Sequence, residues 1–301
     1  MQVTVPEIFE LDSPTWCEML QVGLGTMVVP VGVGGGVSRL LVVFRVGPFR
    51  FGYADFPVGR SSYDRAELDA LLSAARIARV DVLRLHSREP LPWEGRMRVQ
   101  QVGTCIIPDL QRWQVQAYEK ARRTRNRALK SSLRIEPATP RDAARIDALY
   151  RNTVDRHHGG ARYHESYFRA IAAHTILVAR LDTKICAFVS FARCGNVAFY
   201  LHGGYDPLAK AQYPSDLLFY TMLVHARAAG AESFDFLPSP PGQDSLLRYK
   251  EGWGGRPAPF LVSDIPLSLW RSKAIDFTRK LSNALPRQLI SRLLPGLIGR
   301  C

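Results

Sequence analysis

Between positions 175 and 202 three apolar runs, 175–180, 185–192 and 197–202, alternate with the polar links Asp182-Thr183-Lys184 and Arg193-Cys194-Gly195-Asn196. Links this short join antiparallel neighbours, so the pattern predicts a three-stranded meander. Upstream, Thr139-Pro140-Arg141-Asp142 places a hydroxyl N-cap, a first-turn proline and an acid before the apolar positions Ile146, Leu149 and Tyr150, which predicts a helix start. A second short helix is expected over 165–173. After Gly203-Gly204-Tyr205-Asp206-Pro207 the period changes. Leu217, Leu218, Thr221, Met222, His225 and Ala226 share one helical face that closes at Gly230. A strand over 233–237, a helical segment over 242–250 and a last strand over 259–263 complete this half.

The first half repeats the order. Runs 40–46 and 49–53 predict a hairpin around Gly47-Pro48, followed by the loop Phe56-Pro57-Val58-Gly59. A helix then opens at Asp64, with Glu67 three residues on in capping-box spacing, and 80–85 reads as a closing strand. Strand, strand, glycine-containing loop, helix, strand therefore occurs twice, over 40–85 and 185–237. The expected fold class is α/β (α+β) with two related domains in tandem: 1–112, a basic linking helix over 113–138, a second domain over 139–265, and a tail over 266–301.

The length of 301 residues suits two domains, and 47% hydrophobic with 22% charged residues is ordinary for a globular chain and excludes a disordered one. The net charge of +13 is concentrated. Residues 120–134 hold seven Lys/Arg and no acid, the tail seven Lys/Arg and one acid, Asp276, and together they account for the whole excess. Such segments favour a polyanionic partner (phosphate groups, nucleic acid or an anionic membrane surface), although a basic stretch is as often a solvated helix face. In the tail, Trp270, Phe277, Leu281, Leu289 and Leu293 lie among basic residues and Pro286 and Pro295 interrupt it. That pattern fits an amphipathic helix packed on the second domain or an interfacial membrane helix. Five cysteines without CxxC spacing point to reduced thiols in a cytoplasmic protein. Neither a signal peptide nor a run of about 18 apolar residues is seen, so neither export nor a membrane-spanning helix is expected. The localisation expected is cytoplasmic, or peripheral on the inner membrane face.

Several familiar chemistries are disfavoured. Gly32-Val33-Gly34-Gly35-Gly36 precedes a strand rather than a helix, so a turn explains it better than a dinucleotide loop. His157-His158 lacks further ligands at metal spacing, and no HExxH or G-x-S-x-G is present.

The region 200–254 is richer: YLHGGYDPLAKAQYPSDLL, FDFLPS and SLLRYKEGWGG. With these segments the chain resembles the GNAT superfamily, and within it the Fem-type peptidoglycan aminoacyltransferases and the acetyltransferase domain associated with bacterial polysaccharide synthesis. The shared features are an Arg/Lys-rich helix (Arg122–Lys130), Gly203-Gly204 before a helix, the strand Phe234-Asp235-Phe236, and Tyr249-Lys250 followed by Gly252 and Gly254. The resemblance covers 113–260 well and the first domain in outline. It implies tandem GNAT-like domains, each a mixed, mostly antiparallel sheet flanked by helices. The usual pyrophosphate loop, Arg/Gln-x-x-Gly-x-Gly/Ala, is absent, and Tyr213-Pro214-Ser215 stands in its place.

The implied activity is N-acyl transfer, with no permanently bound cofactor and acyl-CoA as co-substrate. The acceptor is an amine of a small molecule or cell-envelope precursor. Transfer of this kind needs a deprotonated amine and donors for the oxyanion. Lys250 is the expected catalytic cation; Tyr249, Asp206 and His202 are further catalytic candidates, a turn cap being the alternative for Asp206. Gly203, Gly204, Tyr205, Tyr213, Ser215, Asp235, Trp253, Arg122 and Arg123 are candidates for donor binding. Two other functions compete: aminoacyl transfer from charged tRNA, which the basic segment and the missing pyrophosphate loop favour, and non-catalytic binding of nucleic acid or a membrane surface.

Overall fold

The computed structural model describes residues 7–33, 37–156, 160–239 and 243–275. Gly34–Gly36, His157-His158 and the tail from 276 lie outside the described residues. In chain order the elements are α1 (Pro14–Leu24), β1 (Met27–Val33), β2 (Val37–Val46), β3 (Phe49–Ala54), α2 (Arg65–Ile77) and β4 (Val82–Ser87). There follow β5 (Arg98–Ile107), α3 (Glu119–Ala128), β6 (Leu133–Pro137), α4 (Ala143–Arg156), α5 (Glu165–Thr175) and β7 (Ile176–Leu181). The last are β8 (Lys184–Cys194), β9 (Val197–Tyr205), α6 (Pro214–Ala228), β10 (Ser233–Asp235), α7 (Asp244–Glu251) and β11 (Arg256–Pro266).

The chain forms two compact units, one of residues 1–24 with 103–258 and one of 25–102 with 259–301. In the 25–102 unit the strand order is β1-β2-β3-β4-β11; in the 103–258 unit it is β5-β10-β9-β8-β7-β6. The repeat seen in the sequence is real in both. β2 and β3 are antiparallel, and β4 returns parallel to β3 after α2; β8 and β9 are antiparallel, and β10 returns parallel to β9 after α6. Each unit's next strand comes from the chain that follows the other repeat: β11 pairs antiparallel with β4, and β5 with β10.

The expected boundaries at 112 and 139 therefore differ from the observed units, because pairing partners so distant in sequence leave no local mark. The segment 113–138 also differs from a single linking helix. It contains a 3₁₀ turn (Val115–Ala117), α3 and β6. Leu133 and Ile135 are buried and alternate with Arg134 and Glu136, a period of two that suits the strand pairing with β7.

Local chemistry explains the helices that were foreseen. Asp64 caps α2 by accepting from the Glu67 N–H at 2.8 Å while Glu67 reaches back to the Asp64 N–H at 2.9 Å. Leu68, Leu71, Leu72 and Ala75 of α2 are buried against Leu41, Leu83 and Leu85. Each fully buried leucine contributes about 1.5–3 kcal/mol. In the 103–258 unit α6 buries Leu218, Phe219, Met222 and Leu223 in a core with Phe234, Phe236 and Trp253. The helix α1, not anticipated, packs on α5 through Trp16, Met19, Leu20 and Gly23, spaced three, four and seven residues from the first. Cys105, Cys186 and Cys194 are buried free thiols.

Candidate active site

β9 and β10 pair in parallel at only three positions, Val197, Ala198 and Phe199 of β9, although β9 continues to Tyr205. The two strands part at that point. On its other side, β9 changes register against β8 between the pairs Phe191↔Tyr200 and Ser190↔His202, which leaves Leu201 as an extra, bulged residue. A bulge re-aims backbone and side chains locally. Tyr200 accordingly packs on Phe219 of α6, ring centroids 5.2 Å apart, while His202 sits on the opposite face against Tyr150, Tyr163, Tyr167 and Phe168.

The first turn of α6 begins beside this parting. Tyr213 precedes it in a left-handed conformation (φ 56°, ψ 44°), and Pro214 occupies the first helical position. Free first-turn N–H groups attract anions. Helix α3 supplies cations next to them: the Arg127 guanidinium donates to the Tyr213 hydroxyl at 2.9 Å, and Arg125 lies over the Tyr220 ring at 4.7 Å. Arg123 is paired with Glu119 at 3.4 Å, and Arg122 is exposed. Ser215 and Asp216 fill the first turn. The Thr124 hydroxyl donates to Asp216 at 2.8 Å, and burial raises the Asp216 carboxyl above its ordinary pKa. The Tyr249 hydroxyl is buried beside Asp216 and Trp253; burial first, and the Asp216 charge second, push its pKa well up. Its ring packs on Phe219 at 5.0 Å and on Trp253 at 6.4 Å.

Past β10 the chain turns sharply at Leu237, whose φ is 55° without glycine. Two buried charged residues fix that turn. Asp235, 1% exposed, accepts from the Leu237 N–H at 2.8 Å and from the Thr104 hydroxyl at 2.6 Å. Lys250, 2% exposed, donates to the Leu237 carbonyl at 2.7 Å and to the Ser239 hydroxyl at 2.9 Å. Burial lowers the Lys250 pKa to about 8, against the opposing pull of Cys105 and Asp235. Lys250 thus holds the loop after β10 rather than standing free in a cleft.

The other candidates separate. His202 accepts or donates with the Tyr167 hydroxyl at 2.9 Å inside an aromatic box, and burial lowers its pKa to about 3. It is neutral near pH 7 and on the face away from α6. Asp206 caps the following turn by accepting from the Leu208 N–H at 3.1 Å and pairs with Arg145 at 2.8 Å. Its counterpart in the other unit is Asp55. The Asp206 N–H donates to the Cys186 carbonyl of β8, and the Asp55 N–H to the Leu40 carbonyl of β2, both at 2.7 Å. A carboxylate that recurs at this turn in both units has a structural task in each. Tyr205 lies under Arg156, 4.4 Å from guanidinium to ring. Gly204 allows α4 to approach, since a Cβ there would lie 2.8 Å from the Leu149 carbonyl oxygen. Gly203 faces the Tyr200 phenol.

Tyr200, Phe219, Asp216, Thr124, Thr104, Leu237 and Ser239 were not foreseen as site residues. Asp216 alone carried a visible mark, as an acid in the first turn of a recognisable helix. Among the described residues no group of His, Cys, Asp and Glu is arranged to hold a metal ion.

The two units treat this loop differently. In the 25–102 unit, the chain between β3 and α2 is bound to β4: the Arg60 N–H donates to the His86 carbonyl at 3.0 Å, the Arg88 N–H to the Arg60 carbonyl at 3.2 Å, and Arg60 bridges Ser87. Gly59 is pressed so close that a Cβ there would sit 2.6 Å from the His86 carbonyl oxygen. In the 103–258 unit the corresponding loop caps itself, with the Ala209 N–H on the Asp206 carbonyl (3.0 Å) and the Tyr213 N–H on the Lys210 carbonyl (3.1 Å).

Residues 116–251 match the family described as acetyltransferase (GNAT) domain. No protein of curated function matches the sequence. Among solved structures the chain is similar to FemX, with a TM-score of 0.62 at 16% identity, over 90% of this chain and 96% of that one. It is also similar to a C-terminal domain assigned to a lysylphosphatidylglycerol synthetase from Agrobacterium fabrum, with a TM-score of 0.59 at 16% identity over 90% and 92%. L-PGS from Bacillus licheniformis follows, with a TM-score of 0.55 at 13% identity over 98% and 100%. Identities this low show a common fold. The family match lies over the elements that carry the parting of β9 and β10, the bulge, α6 and Lys250, so residues 116–251 are similar to a GNAT acyltransferase domain.

Proposed function

We propose that the chain transfers an acyl group from acyl-CoA to an amine of a small molecule or cell-envelope precursor. The observation that supports this most directly is the parting of β9 from β10 at Phe199, with the Leu201 bulge next along β9. Backbone freed from the ladder there can offer N–H groups to the oxyanion of a tetrahedral intermediate. The amine nitrogen bonds to the thioester carbonyl carbon, the carbon–sulfur bond breaks, and the thiolate takes up a proton. His202 and Asp206 are both engaged elsewhere, so the amine arrives neutral or loses its proton to solvent. Lys250 and Asp235 act by positioning the Leu237 turn. Tyr213, Ser215, Arg122, Arg123 and Arg127 attract the donor's phosphates to the start of α6.

Aminoacyl transfer from charged tRNA is the second reading. It is favoured by Asp216, a carboxylate in the turn where a pyrophosphate would otherwise sit, and by the exposed arginines of α3. It also accords with the similarity to FemX. Calorimetric titration separates the two. Micromolar binding of acetyl-CoA or a long-chain acyl-CoA supports the first. Absence of CoA binding, with tRNA affinity falling steeply between two salt concentrations, replaces it with the second.

A further inference from the structure

We infer that the segment beginning at Leu269 is an anchor for an anionic lipid surface. After β11 the chain is fastened to the 25–102 unit by one buried acid. Asp81 accepts from the Leu267 and Ser268 N–H groups through its carbonyl, at 2.9 and 3.2 Å, and its carboxylate lies 2.6 Å from the Arg271 guanidinium. The same carboxylate accepts from the Arg50 N–H at 2.8 Å. Residues 269–275 are helical. Fixed in this way, the first turn presents Trp270 at 70% and Leu269 at 54% exposure, with Arg271 lying 5.3 Å from the Trp270 ring.

Single exposed apolar residues are ordinary on a protein surface. A tryptophan and a leucine adjacent to each other, held outward by an ion pair to the buried Asp81 and flanked by Arg271 and Lys273, are a different arrangement. Tryptophan favours the boundary between water and lipid, where its ring is buried and its N–H stays hydrated. The sequence continues in kind: Phe277, Leu281, Leu289 and Leu293 alternate with Arg279, Lys280, Arg287 and Arg292, and the tail from 266 has one acid against seven Lys/Arg. Each cation close to an anionic leaflet contributes about 1 kcal/mol, and the apolar side chains add burial. A nucleic acid would match the charge but give the exposed Leu269 and Trp270 no role.

The test is co-sedimentation of the full chain with vesicles of phosphatidylcholine alone and of phosphatidylcholine mixed with phosphatidylglycerol. Binding is expected to the anionic vesicles only, weakening with salt. Replacing Leu269 and Trp270 together by serine is expected to weaken it about tenfold or more, the equivalent of one buried apolar side chain. Ile77→Ser, at a residue 82% exposed on α2, serves as the control and leaves binding unchanged. Failure to bind anionic vesicles overturns the inference. So does binding indifferent to the double substitution, or binding to tRNA in preference to vesicles. None of these outcomes depends on which acyl donor the enzyme uses.

Discussion

The Lys250 ammonium donates to the Leu237 carbonyl at 2.7 Å from a position only 2% exposed. Burial that lowers its pKa from 10.5 to about 8 corresponds to roughly 3 kcal/mol of unfavourable free energy at neutral pH. The left-handed turn at Leu237 adds about 1–2 kcal/mol of strain. A fold selected for stability alone would place an apolar side chain here. Lys250→Met removes the buried charge but orphans two acceptors, and these effects nearly offset. Thermal unfolding is expected to place the variant within about 2 kcal/mol of the parent, while kcat/KM falls about 10²-fold. A variant that unfolds at ambient temperature, or one that keeps full activity, contradicts the positioning role.

The same lysine sets an alkaline limit. Its folded pKa lies below its unfolded one, so its effect on stability runs opposite to its effect on the loop. As pH rises from about 8 to 10.5 the penalty of the buried charge is relieved and stability increases. Over that range the ammonium gives way to an amine, whose hydrogen bond to Leu237 is weaker. Activity is therefore expected to decline above about pH 8 while the melting temperature does not. Parallel decline of both would assign the alkaline limb to unfolding.

His202 produces the acid limit. Its pKa is about 3 in the fold against 6.5 for an ordinary histidine, so the unfolded chain takes up its proton first. The stabilisation is complete above pH 6.5 and is lost as pH falls towards 3, about 2 kcal/mol of it by pH 5. Replacing His202 by glutamine, which still reaches the Tyr167 hydroxyl, is expected to flatten the loss of stability between pH 6.5 and 5. Chemical denaturation at both values measures it, and an undiminished slope in the variant would show that another group carries the acid sensitivity.

Much of the architecture was legible because its causes are local. The period of the 175–202 runs, the capping box at Asp64 and the apolar face of α6 each lie within one element, and the duplication follows from them. The swapped strands β5 and β11 were not, since nothing near Cys105 or Ile265 says which distant strand will pair with it. The site divides in the same way. Lys250 and Asp235 stood out as residues, but their joint grip on Leu237 depends on a left-handed turn made without glycine. The bulge at Leu201, which sends Tyr200 and His202 to opposite faces, leaves no trace in residue type. His202 looked like a base at a strand end only because the face it takes was hidden.

Asp206 and Asp55 offer a comparison within one chain. Asp206 pairs with Arg145 where the side chains are 27% and 41% exposed, which is worth less than about 1 kcal/mol. Asp206→Asn keeps the cap on the Leu208 N–H and is expected to retain activity within a few-fold. The Asp55 side chain is 5% exposed, and it binds Arg60 at 3.2 Å and the Tyr63 hydroxyl at 3.1 Å. Breaking that buried pair by Asp55→Asn is expected to cost about 3–5 kcal/mol. Denaturant unfolding ranks the two. A catalytic Asp206 would reverse the order in the activity assay, with a loss of 10²-fold or more.

The difference between the loops predicts how many donors one chain binds. In the 103–258 unit, the loop from Asp206 to Tyr213 closes on itself and leaves β9 beyond Phe199 unpaired with β10. In the 25–102 unit, Arg60 is joined to β4 through His86, Ser87 and Arg88, so the equivalent space between β3 and β4 holds the protein's own backbone. A donor entering there would have to displace two backbone hydrogen bonds, each with a buried or half-buried partner, and that is a few kcal/mol of unfavourable work before any contact is made. Calorimetry is expected to give one donor per chain. The substitution Arg60→Ala at this half-buried residue, which removes the ion pair to Asp55, is expected to lower stability without creating a second site. Two equivalents of donor per chain, with or without that substitution, would mean that the loop opens and that both units bind.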